Sequence, residues 1–537
     1  MSESEVPVPQ MTQEDLLAYL STVEIKPPHI VFDQEKYDRD VADGLIVVSR
    51  NINNSPYLAS ELKAAHGAAT INEVADVGKP KVVITTTIAF NWSPAYIQAC
   101  ADAYCHAYGL NPRPIEVVNL DANGQRVTNP APTDTQPVLD AINTWFASNG
   151  TLKSGVTANN RGSLNAISSL PTTLPGLTAA QNDMFGWLGE LILNFWAIGM
   201  NPNANFRVVC CNSATSASLN QTVVYASTDS NFPISSTFGP TQYVNMSWGD
   251  SLPGLDRASL DDSIFISSRI CYFAAANNYR WAGYPATSHN VLCAGGASLY
   301  YDSTLRVEVW GGTNVPASVN ASQGGGAGFS HSILTGSNFY PRPAHQNGLA
   351  ALPNNNRRAC PDMCSLGDPV TGVLIIFSSG DGSKLARHLN GGTSLASPLL
   401  CGLFSHVSQR RINRNQQPLT TRLADVGTTS LPSSDNLQEF VYSNFKQSSA
   451  VASAMFYDIA IGATTLPTDN NLGPDNSGKT FAAESGHDIA TGLGFPLLNG
   501  IMNRMYPNQT ALPGAGISIT PSTVPGLINP KIVFNFN

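Results

Sequence analysis

In this chain of 537 residues, the stretch Gly391-Gly392-Thr393-Ser394-Leu395-Ala396-Ser397-Pro398 has the make-up of a prepared nucleophile. The two glycines let the backbone turn sharply, and the apolar run from Leu395 to Val407 reads as a buried helix with Ser394 in its first turn. At such a turn the unpaired N–H groups and the positive end of the helix dipole favour negative charge. Acyl transfer develops that charge on the carbonyl oxygen under attack, so a serine hydroxyl here suits attack on a carbonyl carbon. The same residues also describe a serine N-cap after a glycine turn, and the motif alone leaves both readings open.

A group of oxygen ligands lies further on. Asp458, within Phe456-Tyr457-Asp458-Ile459, and Asp488, closing Glu484-Ser485-Gly486-His487-Asp488, flank a polar loop of Gly, Asn and Asp. Two carboxylates and loop carbonyls form the donor set of a calcium cage, although a solvated turn has the same composition. Cys360 and Cys364 have ligand-like spacing without a matching Cys or His pair beside them, so a zinc site is not expected.

The elements that must position these groups read as α/β. A strand over Lys81 to Ala89, a helix over Tyr96 to Tyr108 and a strand over Ile115 to Leu120 have the spacing of a parallel sheet. A helical segment over Met184 to Met200 and strands over Phe206 to Cys211, Tyr243 to Trp248, Ile270 to Ala276 and Val291 to Ala294 continue the pattern. Chemistry in open α/β sheets gathers where strands end, which directs attention to Gly249, to Asn277-Asn278 and to Gly295-Gly296. The expected division is an N-terminal arm over 1–79, a main domain over 80–510 with a surface insertion over 121–181, and a C-terminal tail over 511–537.

Composition excludes several functions. Charged residues are 12% of the chain against a usual ~25%, and the net charge is −9 with no dense Lys/Arg run, so a nucleic-acid-binding surface is not expected. No apolar run reaches the ~18 to 20 residues of a membrane span. The first residues lack the basic start and apolar stretch of a secretory signal, so the protein is expected to stay within a cell or particle. The cysteines number nine, and Cys210-Cys211 lie in an apolar run, the mark of reduced core residues.

Five ordered motifs then resemble the sedolisins, the serine-carboxyl peptidases of subtilisin-like fold. They are Val244-Asn245-Met246-Ser247-Trp248-Gly249; Tyr284-Pro285-Ala286 ahead of Val291 and Gly295-Gly296; Arg358 with Pro361-Asp362; Gly391 to Pro398; and Thr491-Gly492-Leu493-Gly494-Phe495-Pro496. The resemblance implies a doubly wound, mostly parallel sheet flanked by helices, with a calcium-binding loop near the C-terminus. It implies hydrolysis of peptide bonds in a peptide or protein substrate, with Ser394 as nucleophile and Ser247, Trp248 and Gly249 along the substrate. The family's Glu-x-x-x-Asp pair, counted back from Val208-Val209, falls on Glu190 and Asn194, so the base is kept and its aspartate partner is replaced. A rival placement on Gln136 and Asp140 keeps the Asp, loses the Glu and leaves too long a connection.

The family's oxyanion aspartate falls on Asn278, and asparagine is the residue that ordinary subtilisins use there. Their His-Gly-Thr-His base motif is absent, and His66-Gly67 has the wrong surroundings to replace it. Calcium ligands implied by the resemblance are the carboxylates of Asp458 and Asp488 and the carbonyls of Ile459, Glu484 and Gly486. Asn194 cannot share a proton as an aspartate does, and its amide is expected to donate to the Glu190 carboxylate and weaken it as a base. Sedolisins also carry a long prosegment that residues 1–79 are too short to supply. The departures therefore leave two readings: a serine endopeptidase of reduced activity, and an inactive protein that keeps the fold as a structural or peptide-binding part of a larger assembly.

Overall fold

The computed structural model describes most of residues 56–507, apart from 128–133, 234–235, 251–252, 302–304, 312–322, 334–338, 350–351, 353–355 and 423–434; beyond those limits it describes scattered positions from 14 to 31 and two C-terminal strands. The central sheet is built from short β-branched or apolar runs, most of them buried on both faces as parallel strands between two helical layers must be, with Ile115, Glu116 and Val117 half-buried at the edge. They are β1 (Val83–Ile88), β2 (Ile115–Asn119), β3 (Asn205–Cys210), β4 (Tyr243–Met246), β5 (Cys271–Ala275), β6 (Val291–Tyr301) and β7 (Met363–Leu366). Their order is β2-β3-β1-β4-β5-β6-β7, and every one of these pairings is parallel. From β1 the chain lays β2 and β3 to one side, then crosses back to add β4 to β7 on the other. The winding reverses between β1 and β4, where Thr86 pairs with Asn245, and a crevice for a ligand is expected at such a point.

Between these strands run α1 (Pro94–Ala107), α2 (Ala179–Leu193) and α3 (Ser216–Ser227). Ser93 and Thr215 cap α1 and α3, while Thr178 and Gln181 form a capping box on α2. An antiparallel hairpin of β8 (Val373–Ser378) and β9 (Lys384–Gly391) then feeds α4 (Thr393–Asn413). This helix is buried from Thr393 through Gln409, because it packs across β4 to β7 on one side and against the helix Trp196–Met200 on another. Such all-round burial explains why its sequence is apolar without a polar stripe.

Two stretches expected at the periphery contribute to the core, and a third pairs at the sheet edge. Tyr57, Leu62, Ala68 and Ile71 are buried within it, as are Val138, Ile142 and Phe146 of the helix Gln136–Ser148 and Leu164 beyond. Thr151–Leu152 extends β9. Of the stretch from 511 onward, Ile517–Pro521 pairs with Pro530–Phe534, which reaches the sheet edge through Leu305–Val309. The first two are too rich in Pro, Asn and Thr for a strong periodic pattern, yet their scattered apolar residues join the core. The nine cysteines are buried free thiols. No helix among the described residues is long and apolar enough to cross a membrane.

Candidate active site

Gly392 (φ 101°) turns the chain from β9 into α4, so Ser394 lies in the first helical turn as the motif predicts. The helix carries Pro398 four residues on. Proline has no N–H to give the carbonyl of Ser394, which is left open for an outside donor. That donor is Ser247, just past β4, whose hydroxyl reaches the carbonyl at 2.9 Å. In return the Ser394 Oγ points at the carbonyl oxygen of Ser247 at 3.4 Å, a weak hydrogen bond by length. Ser394 is fully buried.

Glu190 and Asn194 lie one turn apart on one face of α2, and both are fully buried. Asn194 caps the helix, and its amide nitrogen donates to the main-chain carbonyl of Glu190 at 2.8 Å. This corrects the expectation of a bond to the Glu190 carboxylate: with α2 ending at Asn194, the side-chain amide folds back onto the carbonyl that also accepts the Asn194 main-chain N–H at 3.2 Å. The Asn194 Oδ1 instead accepts from the Asn245 amide at 2.6 Å and lies 2.7 Å from the Ser247 Oγ, whose single proton it shares with the Ser394 carbonyl. A path of short hydrogen bonds therefore runs from α2 through Asn194 and Ser247 to the backbone of Ser394. The rival pair Gln136 and Asp140 bond to each other at 2.8 Å on an exposed helical face.

Asn245, Ser397 and Thr393 belong to the same assembly, and the motif reading passed over them. Asn245 accepts from the Ser397 hydroxyl at 2.6 Å while its amide faces Asn194 and Ser247, tying β4 to α2 and α4. The period of two along a strand places Asn245 and Ser247 on one face, which is the signal that would have found it. Thr393 acts on Asn278. Its N–H and hydroxyl both donate to the Asn278 Oδ1, at 2.7 and 2.9 Å. With the oxygen committed, the amide nitrogen faces Gly392, where an added Cβ would lie 3.0 Å away. Glycine at 392 thus serves both the turn and the space before that donor.

The Trp248 indole is buried and donates to the Thr87 hydroxyl at 2.9 Å. Gly249 passes so close to Tyr284 that a Cβ would meet its carbonyl at 3.1 Å. The Ser247-Trp248-Gly249 segment is consequently a main-chain feature with its large side chain anchored inward. His66 is also structural. Its ring nitrogens lie 2.9 Å from the Pro496 carbonyl and from the Ser365 hydroxyl, it stacks on Phe495, and burial pushes its pKa down to about 3.

Asp458 and Asp488 converge on the loop 484–488. Asp458 accepts from the Gly486 N–H at 3.0 Å and Asp488 from the Glu484 N–H at 3.2 Å. Among the described residues no cluster of three or more His, Cys, Asp or Glu has metal-holding geometry. A cation here would rest on two carboxylates and main-chain carbonyls, an all-oxygen set that fits a hard ion and no softer one. Burial raises the pKa of both acids, Asp488 to about 7, as befits carboxylates that lack a compensating positive charge.

No family model matches the chain. In sequence it is similar to Tripeptidyl-peptidase 1 of Dictyostelium discoideum, at 25% identity over 229 residues, which is 40% of this chain. The alignment spans 28% of the length of that relative. Among solved structures, "PatG macrocyclase in complex with peptide" is similar at 11% identity and a TM-score of 0.40, covering 86% of this chain and 99% of that one. "Crystal Structure of a Lanthipeptide Protease" is similar at 10% identity and a TM-score of 0.37, covering 86% of this chain and 97% of that one. In sequence the chain is thus similar, over part of its length, to a tripeptidyl-peptidase, and its ordered motifs lie on a mostly parallel α/β sheet.

Proposed function

We propose that the chain is a serine peptidase of sedolisin type that hydrolyses peptide bonds. Ser394 attacks the carbonyl carbon of the substrate and Glu190 takes its proton. The amide nitrogen of Asn278 donates to the oxyanion, and the resulting acyl-enzyme is released by water. Asn194 acts as a positioning residue, since it holds Ser247 and through it the backbone of the nucleophile. A calcium ion would be held by the carboxylates of Asp458 and Asp488 with the carbonyls of Ile459, Glu484 and Gly486, and would supply structural charge compensation to the loop.

The observation that carries this reading is the locked amide of Asn278. Its oxygen is held by Thr393, the residue immediately before the nucleophile, so donor and hydroxyl are set by the same helical turn. A preorganised donor of this kind is worth ~3 kcal/mol of barrier. A second reading, that of an inactive scaffold or peptide-binding subunit, is favoured by one feature: the Ser394 hydroxyl is fully buried and directed at a main-chain carbonyl. Digestion of an unfolded protein between pH 3 and 8, wild type beside Ser394→Ala, separates the two. Cleavage by the wild type alone supports the peptidase; two blank digests support the scaffold.

A further inference from the structure

Asn277, between the buried strand β5 and Asn278, holds φ at 125°, in the region of backbone space that favours glycine. Glycine would adopt this conformation freely, so a side chain kept here against the strain points to something the side chain does. Its amide is engaged at both ends. The Oδ1 accepts from the main-chain N–H groups of Asn278 at 2.6 Å and of Tyr279 at 3.2 Å, an Asx turn that closes around Asn278. The Nδ2 donates to the main-chain carbonyl of Asp250 at 3.2 Å.

That carbonyl belongs to a pinned residue. The Asp250 N–H donates to the Tyr284 carbonyl at 2.9 Å, and the Asp250 carboxylate pairs with Arg257 at 2.5 Å, both side chains being buried. Arg257 also donates to the Ser216 hydroxyl at 2.8 Å, in the first turn of α3. Asp250 directly follows Ser247-Trp248-Gly249, so one amide ties the turn bearing Asn278 to the segment expected along the substrate. A second link runs through the main chain. The Asn277 N–H donates to the Thr393 hydroxyl at 3.2 Å, and that hydroxyl donates to the Asn278 Oδ1 at 2.9 Å. With a lone pair taken by the Asn277 N–H, the hydroxyl directs its proton to the amide oxygen, and hydrogen bonds in series polarise that amide and strengthen its nitrogen as a donor.

We infer that Asn277 is a positioning residue, which rests on the peptidase reading: it fixes the amide of Asn278 relative to the substrate segment, within the ~3 Å that an oxyanion donor must reach. The test is Asn277→Gly in the full chain, because glycine adopts the same φ and keeps the turn without the tether. On a chromogenic peptide cleaved by the wild type, kcat should fall about tenfold, a fraction of the ~10²–10³ that a whole donor is worth, with KM changed by less than about twofold. A side chain that served folding alone would lower the melting temperature on removal and leave kcat as it was. A second readout is independent of cleavage. In protein isotope-labelled at asparagine side-chain nitrogens, the NMR signal of the Asn278 amide, assigned by its loss in Asn278→Asp, should shift and broaden in Asn277→Gly and hold its position in the remote surface variant Asp140→Ala. An unchanged kcat, a rise in KM alone or an unmoved Asn278 signal would each overturn the inference. If the wild type cleaves no more than Ser394→Ala, the peptidase reading fails by itself, and the amide signal still decides whether Asn277 holds Asn278.

Discussion

Two buried polar assemblies of the molecule differ in charge. Around Asp362 the network is ionic: the carboxylate takes bonds from Arg358 at 2.6 Å, Tyr442 at 2.9 Å, Gln438 at 3.3 Å and the Cys293 N–H at 2.8 Å. Both members of the Arg358–Asp362 pair are completely buried. Around Ser394 the linking groups are neutral amides and hydroxyls, contributed by Asn194, Asn245, Ser247, Thr393 and Ser397. A buried charge that is fully paired is held in one state, which suits a brace. Neutral groups that both donate and accept can follow a proton without a net charge to solvate, which suits chemistry. The motif containing Arg358 and Asp362 is therefore read as architecture, while the proposed peptidase function assigns the chemistry to the one containing Ser394.

The sharpest way to break this contrast is Ser394→Ala, for which the peptidase reading expects a loss on the order of 10⁶ in kcat. Glu190→Gln should follow with about 10²–10⁴. Melting curves of both variants should stay close to that of the wild type. On the other side, Arg358→Met should cost about 3–5 kcal/mol by stranding the Asp362 charge, seen as a lower urea midpoint. If Arg358→Met instead leaves stability intact and abolishes cleavage, the two assemblies have been assigned the wrong way round.

Asn278→Asp keeps both bonds from Thr393 but replaces the donor with an oxygen that donates only when protonated. A loss of about 10²–10³ at pH 7, recovering in acid, is expected; a flat profile would remove Asn278 from the oxyanion. The wild type, with Asn278 donating at every pH, should show no steep rise in rate below pH 5. Addition of calcium should raise the melting temperature of the wild type and leave that of Asp488→Asn unchanged.

The smallest effect concerns Asp261, which burial lifts to about 7 although Ser288 and Tyr340 donate to it. The folded state keeps this proton up to about pH 7, whereas the unfolded chain releases it near ~4. The folded state thus binds more protons across that window, so this group's contribution to stability falls as pH rises from 4 to 7. Asp261→Asn should flatten that part of the wild-type decline, read from urea midpoints at pH 5 and 7. A steeper decline in the variant would contradict the sign.

Strand runs, the nucleophile turn and the order of motifs were legible in the chain, because each depends on residues close in sequence. β-branched stretches mark strands wherever they are buried, and two glycines before an apolar run mark a sharp entry into a helix. That positions 194 and 278 carry amides rather than carboxylates was equally plain from residue identity. What Asn194 does with its amide was not. Whether it turns to the Glu190 carboxyl or to the carbonyl beside it depends on α2 ending there, and on Asn245 and Ser247 arriving from β4, some fifty residues later, to claim its oxygen. The same holds for Pro398, whose missing N–H is visible in sequence while the hydroxyl that replaces it is supplied by Ser247. Side-chain hydrogen bonds between distant segments have no local signature, since a donor's partner is whichever acceptor the packed helices and sheet bring within about 3 Å.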